Sequence, residues 1–174
     1  VVERLLLIGM MGSGKTTVGA LLARRLGWRH LDSDAQVEAA TGMTVPAIFA
    51  AHGEAAFRAE ETKALAKALT SDVPVVVSVA GGAVLDPDNR RKIRRGGTVV
   101  WLRVRPDILA RRVGDGRGRP LLEHDPARSI ARLEHQRRPV YAALAHLAID
   151  VDQLPPAMVA ERVLGRLGSL DRQP

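Results

Sequence analysis

The sequence predicts a three-layer α/β/α fold around a five-stranded parallel sheet, and three observations carry that expectation. Short apolar runs alternate along the chain with segments of helical periodicity, the order that arises when strands are joined by crossover helices. Three of the runs are continuously apolar, as strands covered by helices on both faces must be. The first run opens into a glycine-rich turn, "GMMGSG", which is followed at once by an amphipathic segment.

"RLLLI" at 4–8 is the first strand and 15–26 the first helix, with Gly27 placed to end it. "RHLD" at 29–32 is the second strand. Helical segments at 34–41, 45–51 and 54–69 come next, with Gly42 and Gly53 at C-terminal positions. "PVVVSV" at 74–79 and "TVVWLR" at 98–103 are the third and fourth strands, enclosing a helix at 87–95 that should stop at Gly96. After a helix at 106–113, "GDGRGRPLLEHDP" at 114–126 fits neither class. Its three alternate glycines, two arginines and two prolines read as a mobile, charged loop of the kind that serves as a lid. Helical periodicity resumes over 127–145, where Pro139 should break it and leave a helix to about Arg138 with a shorter one behind. "LAIDV" at 147–151 is the last strand and 156–168 the last helix.

A chain of 174 residues that is 46% hydrophobic suits one domain spanning 1–174, and no repeat or linker divides it. No apolar run has the length of a membrane span, and "VVERLLLIG" lacks a basic stretch ahead of a cleavage site. No membrane partner and a cytoplasmic location are therefore expected. The lack of cysteine removes disulfides, thiolate metal sites and cysteine nucleophiles together. His30, His52, His124, His135 and His146 never fall at a metal-ligand spacing such as H-x-x-x-H. The net charge is +7, but 22 of the 26 basic residues are scattered arginines, and two Trp, two Phe and one Tyr are few for a base-stacking surface. The charge thus points to a small anionic partner rather than nucleic acid. No apolar surface helix stands out as a dimer face, so a monomer is expected.

Gly9, Gly14, Lys15 and Thr16 match G-x-x-x-x-G-K-[ST], in the required setting of a strand before and a helix after. Such a loop turns backbone N–H groups, including those of Gly12, Ser13, Gly14 and Thr17, around phosphates at a helix N-terminus. Lys15 would reach the outer phosphates and Thr16 would offer its hydroxyl to Mg²⁺. The commoner nucleotide hydrolases place an aspartate at the end of an apolar strand to hold the magnesium shell, whereas "PVVVSV" runs into Ala80, Gly81 and Gly82. N-K-x-D, which reads guanine, does not occur. "LDSD" at 31–34 is the only acidic pair directly after the strand that follows the P-loop helix, and alternation in an extended chain would point Asp32 and Asp34 to one side.

Together with the P-loop and "LDSD", the segments "FRAEE" at 57–61, "AGGAV" at 80–84, "RPLL" at 119–122 and "RRPVY" at 137–141 make the chain resemble the shikimate kinase family, within the nucleoside-monophosphate-kinase-like P-loop proteins. Each motif is weak alone; their order and spacing are specific. The resemblance implies transfer of the γ-phosphoryl of ATP to the 3-hydroxyl of shikimate, a cyclohexene carboxylate with three hydroxyls, with Mg²⁺ assisting. It implies that Asp34 meets the hydroxyls and is the candidate base, that Arg58 and Arg137 hold the carboxylate, and that Glu61 orients Arg58. A guanidinium suits that task because its planar fork grips a carboxylate bidentately. It further implies that Gly81 and Gly82 allow close approach, that Asp32 reaches Mg²⁺ through water, that Arg119 is the lid arginine and that Arg112 stacks over adenine. Lys15, Asp34 and Arg119 are then the catalytic set. Ala80 departs from the family's three glycines.

Plainer readings stand beside these. Asp34 would serve as the N-cap of a helix starting near Ala35. Arg58 and Glu61 would form an ordinary pair on one helix face. Val45, Phe49 and Phe57 would be core residues as readily as the wall of a ring pocket. Two further functions compete: a kinase for a related acceptor such as gluconate, and a basic P-loop module that binds nucleic acid or a protein with ATP as switch.

Overall fold

In the computed structural model, residues 3–122 and 124–170 are described. Strands β1 (Arg4–Ile8), β2 (Arg29–Asp32), β3 (Val75–Ser78), β4 (Thr98–Arg103) and β5 (Leu147–Asp150) form one sheet in the order β2-β3-β1-β4-β5, every neighbouring pair parallel. The helices are α1 (Lys15–Leu26), α2 (Ser33–Thr41), α3 (Val45–Leu69), α4 (Pro87–Gly96), α5 (Pro106–Val113), α6 (Pro126–Leu144) and α7 (Pro156–Leu170). The five expected strands are present, with β3 one residue shorter at each end and β5 one residue shorter at its C-terminus.

The all-apolar runs occupy the middle of the sheet. Leu5, Leu6, Leu7 and Ile8 of β1 lie between Val75–Val77 of β3 and Val99–Leu102 of β4, all buried. Strand β5 at one edge alternates buried and exposed residues, as a strand with one open side does. Because all strands run the same way, the chain leaves β1, β2 and β3 at the same end of the sheet. The P-loop, "LDSD" and "AGG" are therefore gathered there, beside the central strand where connections diverge to the two halves of the sheet.

Local chemistry sets most of the helix ends. Thr44 caps α3 by accepting from the Ala47 N–H at 3.3 Å, and Asp86 caps α4 through the amides of Asp88 and Asn89. The helices expected at 45–51 and 54–69 do part at Gly53, whose φ of 79° and ψ of 174° belong to a backbone region that essentially only glycine enters.

Three expectations are corrected. The cap of α2 is Asp32, not Asp34: its Oδ1 accepts from the Ala35 N–H at 3.1 Å, and Asp34 sits inside the first turn. Gly96 is the last residue of α4 rather than a left-handed stop; a Cβ there would meet Leu69 Cδ2 at 2.6 Å, so this glycine serves close packing. Helix α6 continues through Pro139. Ile130, Leu133, Arg137, Tyr141 and Leu144 form one buried stripe across the proline, while Pro139 and His135, whose carbonyl forfeits its helical partner, both face solvent. Water can satisfy that carbonyl, and the packing of the stripe offsets the proline's usual penalty of about 3 kcal/mol.

Candidate active site

A cleft of about 660 Å³ opens at the C-terminal end of β1, β2 and β3, flanked by α2, α3, residues 117–121 and α6. Its floor is the P-loop. Gly14, with φ of 91°, occupies the left-handed region at the N-cap of α1, which leaves the first amides of that helix open toward the cleft. Lys15 Nζ donates to the carbonyls of Gly9 and Met10 at 2.8 and 2.9 Å, bending its side chain back over the loop. Burial drops the Lys15 ammonium from 10.5 to about 8, although Asp34 and Asp32 pull the other way; Arg137 and Arg119 add to the drop.

Thr16 Oγ donates to Asp32 Oδ2 at 2.5 Å, so the hydroxyl and carboxylate expected at Mg²⁺ share one spot. Asp32 is thus held at both oxygens, Oδ1 by the cap and Oδ2 by Thr16. Ser78, the last residue of β3, lines the cleft beside them. It lies in register with Asp32 across β2 and β3, and its Oγ donates to the Lys15 carbonyl at 2.9 Å. That commits its only proton, so the 2.9 Å bond to His30 Nε2 is donated by the imidazole.

Asp34 projects into the open part of the cleft and makes no hydrogen bond or ion pair among the described residues. Its carboxyl is raised above the usual range by the surrounding protein, then by Asp32 and Glu38, against the pull of Lys15 and Arg58. Across the cleft Arg58 is clamped by Glu61 at 2.6 Å and Glu54 at 2.9 Å. Glu61 is 2% exposed, and its burial raises its pKa despite the guanidinium. Beyond its clamp, the guanidinium passes so close to Gly82 that a Cβ there would lie 2.2 Å from Arg58 Nη1. Gly81 and Gly82 both have negative φ, so the glycines are required for space rather than for conformation; Ala80 is likewise outside the left-handed region.

Arg137 is 1% exposed and lines the end of the cleft. It has no carboxylate within ion-pair distance among the described residues, and its Nε has no hydrogen-bond partner there. Val45, Phe49 and Phe57 also line the cleft while Phe57 packs with Val37, Ile48 and Ala64, so core and pocket wall are the same residues. From the segment after α5, Arg117, Gly118, Arg119, Pro120 and Leu121 face the same space; Arg119 is half-buried, and Arg117 is exposed and paired with Asp115. Glu123, within the expected lid of 114–126, lies outside the described residues.

Two expected nucleotide contacts stand apart. Ser13 is buried beneath the loop, with its side-chain oxygen unpartnered. Arg112 lies outside the cleft lining, and its guanidinium bridges the Gly12 carbonyl at 3.2 Å and that of Asp152 at 2.5 Å, on the outer side of the P-loop. Sequence reasoning missed His30, Ser78, Glu38 and Tyr141 as parts of the site. Glu38 accepts from the Val45 N–H at 2.9 Å and ties α2 to α3. Tyr141 is one turn from Arg137, a spacing that would have placed it beside the site.

A family model described as shikimate kinase matches residues 11–168. The chain belongs to the shikimate kinase family. A shikimate kinase of Moorella thermoacetica is 46% identical over 159 residues, covering 91% of each chain. Among solved structures, a shikimate kinase from Acinetobacter baumannii in complex with shikimate superposes with a TM-score of 0.94 at 34% identity, covering 99% of this chain and 97% of that one. A gluconokinase from Sinorhizobium meliloti, 22% identical, has a TM-score of 0.62 over 97% of this chain and 93% of its own, and shares the fold alone.

Proposed function

We propose that the chain transfers the γ-phosphoryl group of ATP to the 3-hydroxyl of shikimate, giving shikimate 3-phosphate and ADP. The observation that carries the acceptor is Arg137, a buried guanidinium without a carboxylate partner among the described residues, at the end of a cleft that Arg58 also enters. An uncompensated cation in a low-dielectric site is costly, and a substrate carboxylate offsets that cost. Phe49, Phe57 and Val45 supply an apolar wall for a ring, and Asp34 an acceptor for its hydroxyls.

In this reading the amides of Gly12 and of Gly14 to Thr17 hold the ATP phosphates, that of Ser13 being bound to the Met10 carbonyl, and the base lies outward toward Arg112. Lys15 exchanges the carbonyls of Gly9 and Met10 for phosphate oxygens. Thr16 and Asp32 offer one hydroxyl and one carboxylate, with no cluster of three or more acids or histidines among the described residues. That set fits Mg²⁺, which takes few protein oxygens beside phosphates and water. When bound, the ion would supply neutralising positive charge to the phosphates beside Thr16 and Asp32. Asp34 orients the attacking hydroxyl and takes its proton; its raised pKa suits a base that must accept one. Charge that builds on the transferring group is met by Lys15 and by Arg119, which the lid carries over the phosphates on closing.

The experiment is an acceptor panel: ADP release from ATP and Mg²⁺ with shikimate, gluconate or quinate. Turnover of shikimate is expected. Turnover of gluconate without shikimate would overturn the reading.

A further inference from the structure

The side chain of Tyr141 is 1% exposed, at the junction of four parts of the site. Its hydroxyl donates to the Gly81 carbonyl at 2.7 Å and lies 3.9 Å from Met10 Sδ of the P-loop. A Cβ on Gly81 would lie 3.3 Å from Arg137 Nη1 and 3.4 Å from the Tyr141 oxygen, so guanidinium and phenol crowd one glycine from the same side. The ring packs against Trp101 of β4 with centroids 5.9 Å apart. Trp101 is itself flanked by the guanidinium groups of Arg103 and Arg138, at 5.5 and 5.8 Å.

Proton bookkeeping fixes the direction of the contacts. The phenol has one proton, committed to the Gly81 carbonyl, so toward Arg137 the oxygen can only accept. The phenol therefore links the two by different means, a hydrogen bond to the Gly81 carbonyl and the electrostatic pull of the Arg137 guanidinium on the same side of that glycine, a relay across one residue. Burial pushes the phenol up to about 12, with Arg137 opposing, so the proton that the relay needs stays in place across the working range of pH.

We infer that Tyr141 is a positioning residue: through its hydroxyl it sets the guanidinium of Arg137 and the Gly81–Gly82 turn at one mutual distance, and so shapes the grip on the acceptor's carboxylate. This rests on the acceptor reading above. The rest of the turn is pinned independently of Tyr141, since Asn89 Nδ2 donates to the Ala83 carbonyl at 3.1 Å and Arg90 to those of Val84 and Leu85. Gly81 and Arg137 are the parts left to the phenol. Removing the hydroxyl alone should therefore loosen acceptor binding without unmaking the turn or the P-loop.

The test is Tyr141→Phe, which keeps the ring and its packing. Its shikimate KM should rise about 3- to 10-fold, the effect of losing one neutral hydrogen bond, while kcat and the ATP KM stay within about 2-fold. A second readout needs no mutation. Tyr141 is the only tyrosine, so protein grown with 3-fluorotyrosine carries one ring fluorine in this relay. Its ¹⁹F resonance should shift on adding shikimate alone, and should not shift in Arg137→Lys. An unchanged shikimate KM in Tyr141→Phe, equal rises in both KM values, or a resonance blind to shikimate would each overturn the inference. If the parent protein itself fails to turn over shikimate, the acceptor reading falls and this one with it.

Discussion

Thr16 and Asp32, sixteen residues apart in the chain, meet in a 2.5 Å hydrogen bond at the C-terminal end of the sheet. The same carboxylate caps α2 through Ala35, so one side chain both starts a helix and orients the hydroxyl proposed for Mg²⁺. The two roles separate by substitution. Asp32→Ala should lose about 0.5–2 kcal/mol of stability with the cap, whereas Asp32→Asn keeps an acceptor for the cap and should stay near the parent. Both should raise the Mg²⁺ concentration for half-maximal rate by about 10- to 100-fold. Thermal melts and Mg²⁺ titrations read the two effects, and normal Mg²⁺ dependence in Asp32→Asn would contradict the assignment.

Asp34 should show activity and stability moving in opposite directions. Its surroundings disfavour the carboxylate, so Asp34→Asn relieves the folded state and should raise the melting temperature of ligand-free protein at neutral pH. The same change should lower kcat by about 10²- to 10⁴-fold if the carboxylate takes the hydroxyl proton, the lower end following from a loose transition state. A variant with parental kcat would remove Asp34 from the chemistry.

Gly82→Ala tests the role of close approach. The added Cβ would stand 2.2 Å from the Arg58 guanidinium, the far end of a flexible side chain, so that guanidinium shifts while the backbone holds. Shikimate KM should rise by about 10-fold or more, with a melting temperature close to the parent's. Unaltered affinity for shikimate would show that Arg58 can leave its place without consequence.

In the protein free of nucleotide, Lys15 makes stability depend on pH with a definite sign. Its folded-state pKa of about 8 lies below the ordinary 10.5, so between those values the folded chain holds fewer protons than the unfolded one. Stability contributed by this group must therefore rise as pH climbs through that window. Tyr141, pushed up from 10.0 to about 12, acts in the opposite sense at higher pH. The difference in unfolding free energy between the parent and Lys15→Met isolates the lysine: the parent should gain on the variant from pH 8 to 10. A constant difference would show that Lys15 is not desolvated.

The sheet was legible because its strands are apolar runs set between helices, and the P-loop because glycines, lysine and threonine have a fixed spacing that only a phosphate site explains. Strand order was not legible, since it depends on how crossovers pack and not on any one segment. Pro139 misled because local backbone chemistry argues for a break, while the stripe from Ile130 to Leu144 holds the helix together from outside it. The cap of α2 was placed on Asp34 because either aspartate of "LDSD" can cap; only the tertiary partner Thr16 shows why Asp32 is the one turned inward. Arg137 and Arg138 are adjacent in sequence, and the helix sends one into the cleft and pairs the other with Glu134. Resemblance, rather than local pattern, had chosen between them.

The central claim is that Arg137 and Arg58 select a carboxylated ring, and comparing kcat/KM for shikimate with that for its methyl ester tests it most directly. The ester keeps the ring and the hydroxyls and removes the charge. The parent protein should favour shikimate by about 10²-fold or more, and Arg137→Ala should lose most of that preference by failing on shikimate rather than by gaining on the ester. Equal turnover of acid and ester by the parent would contradict the account.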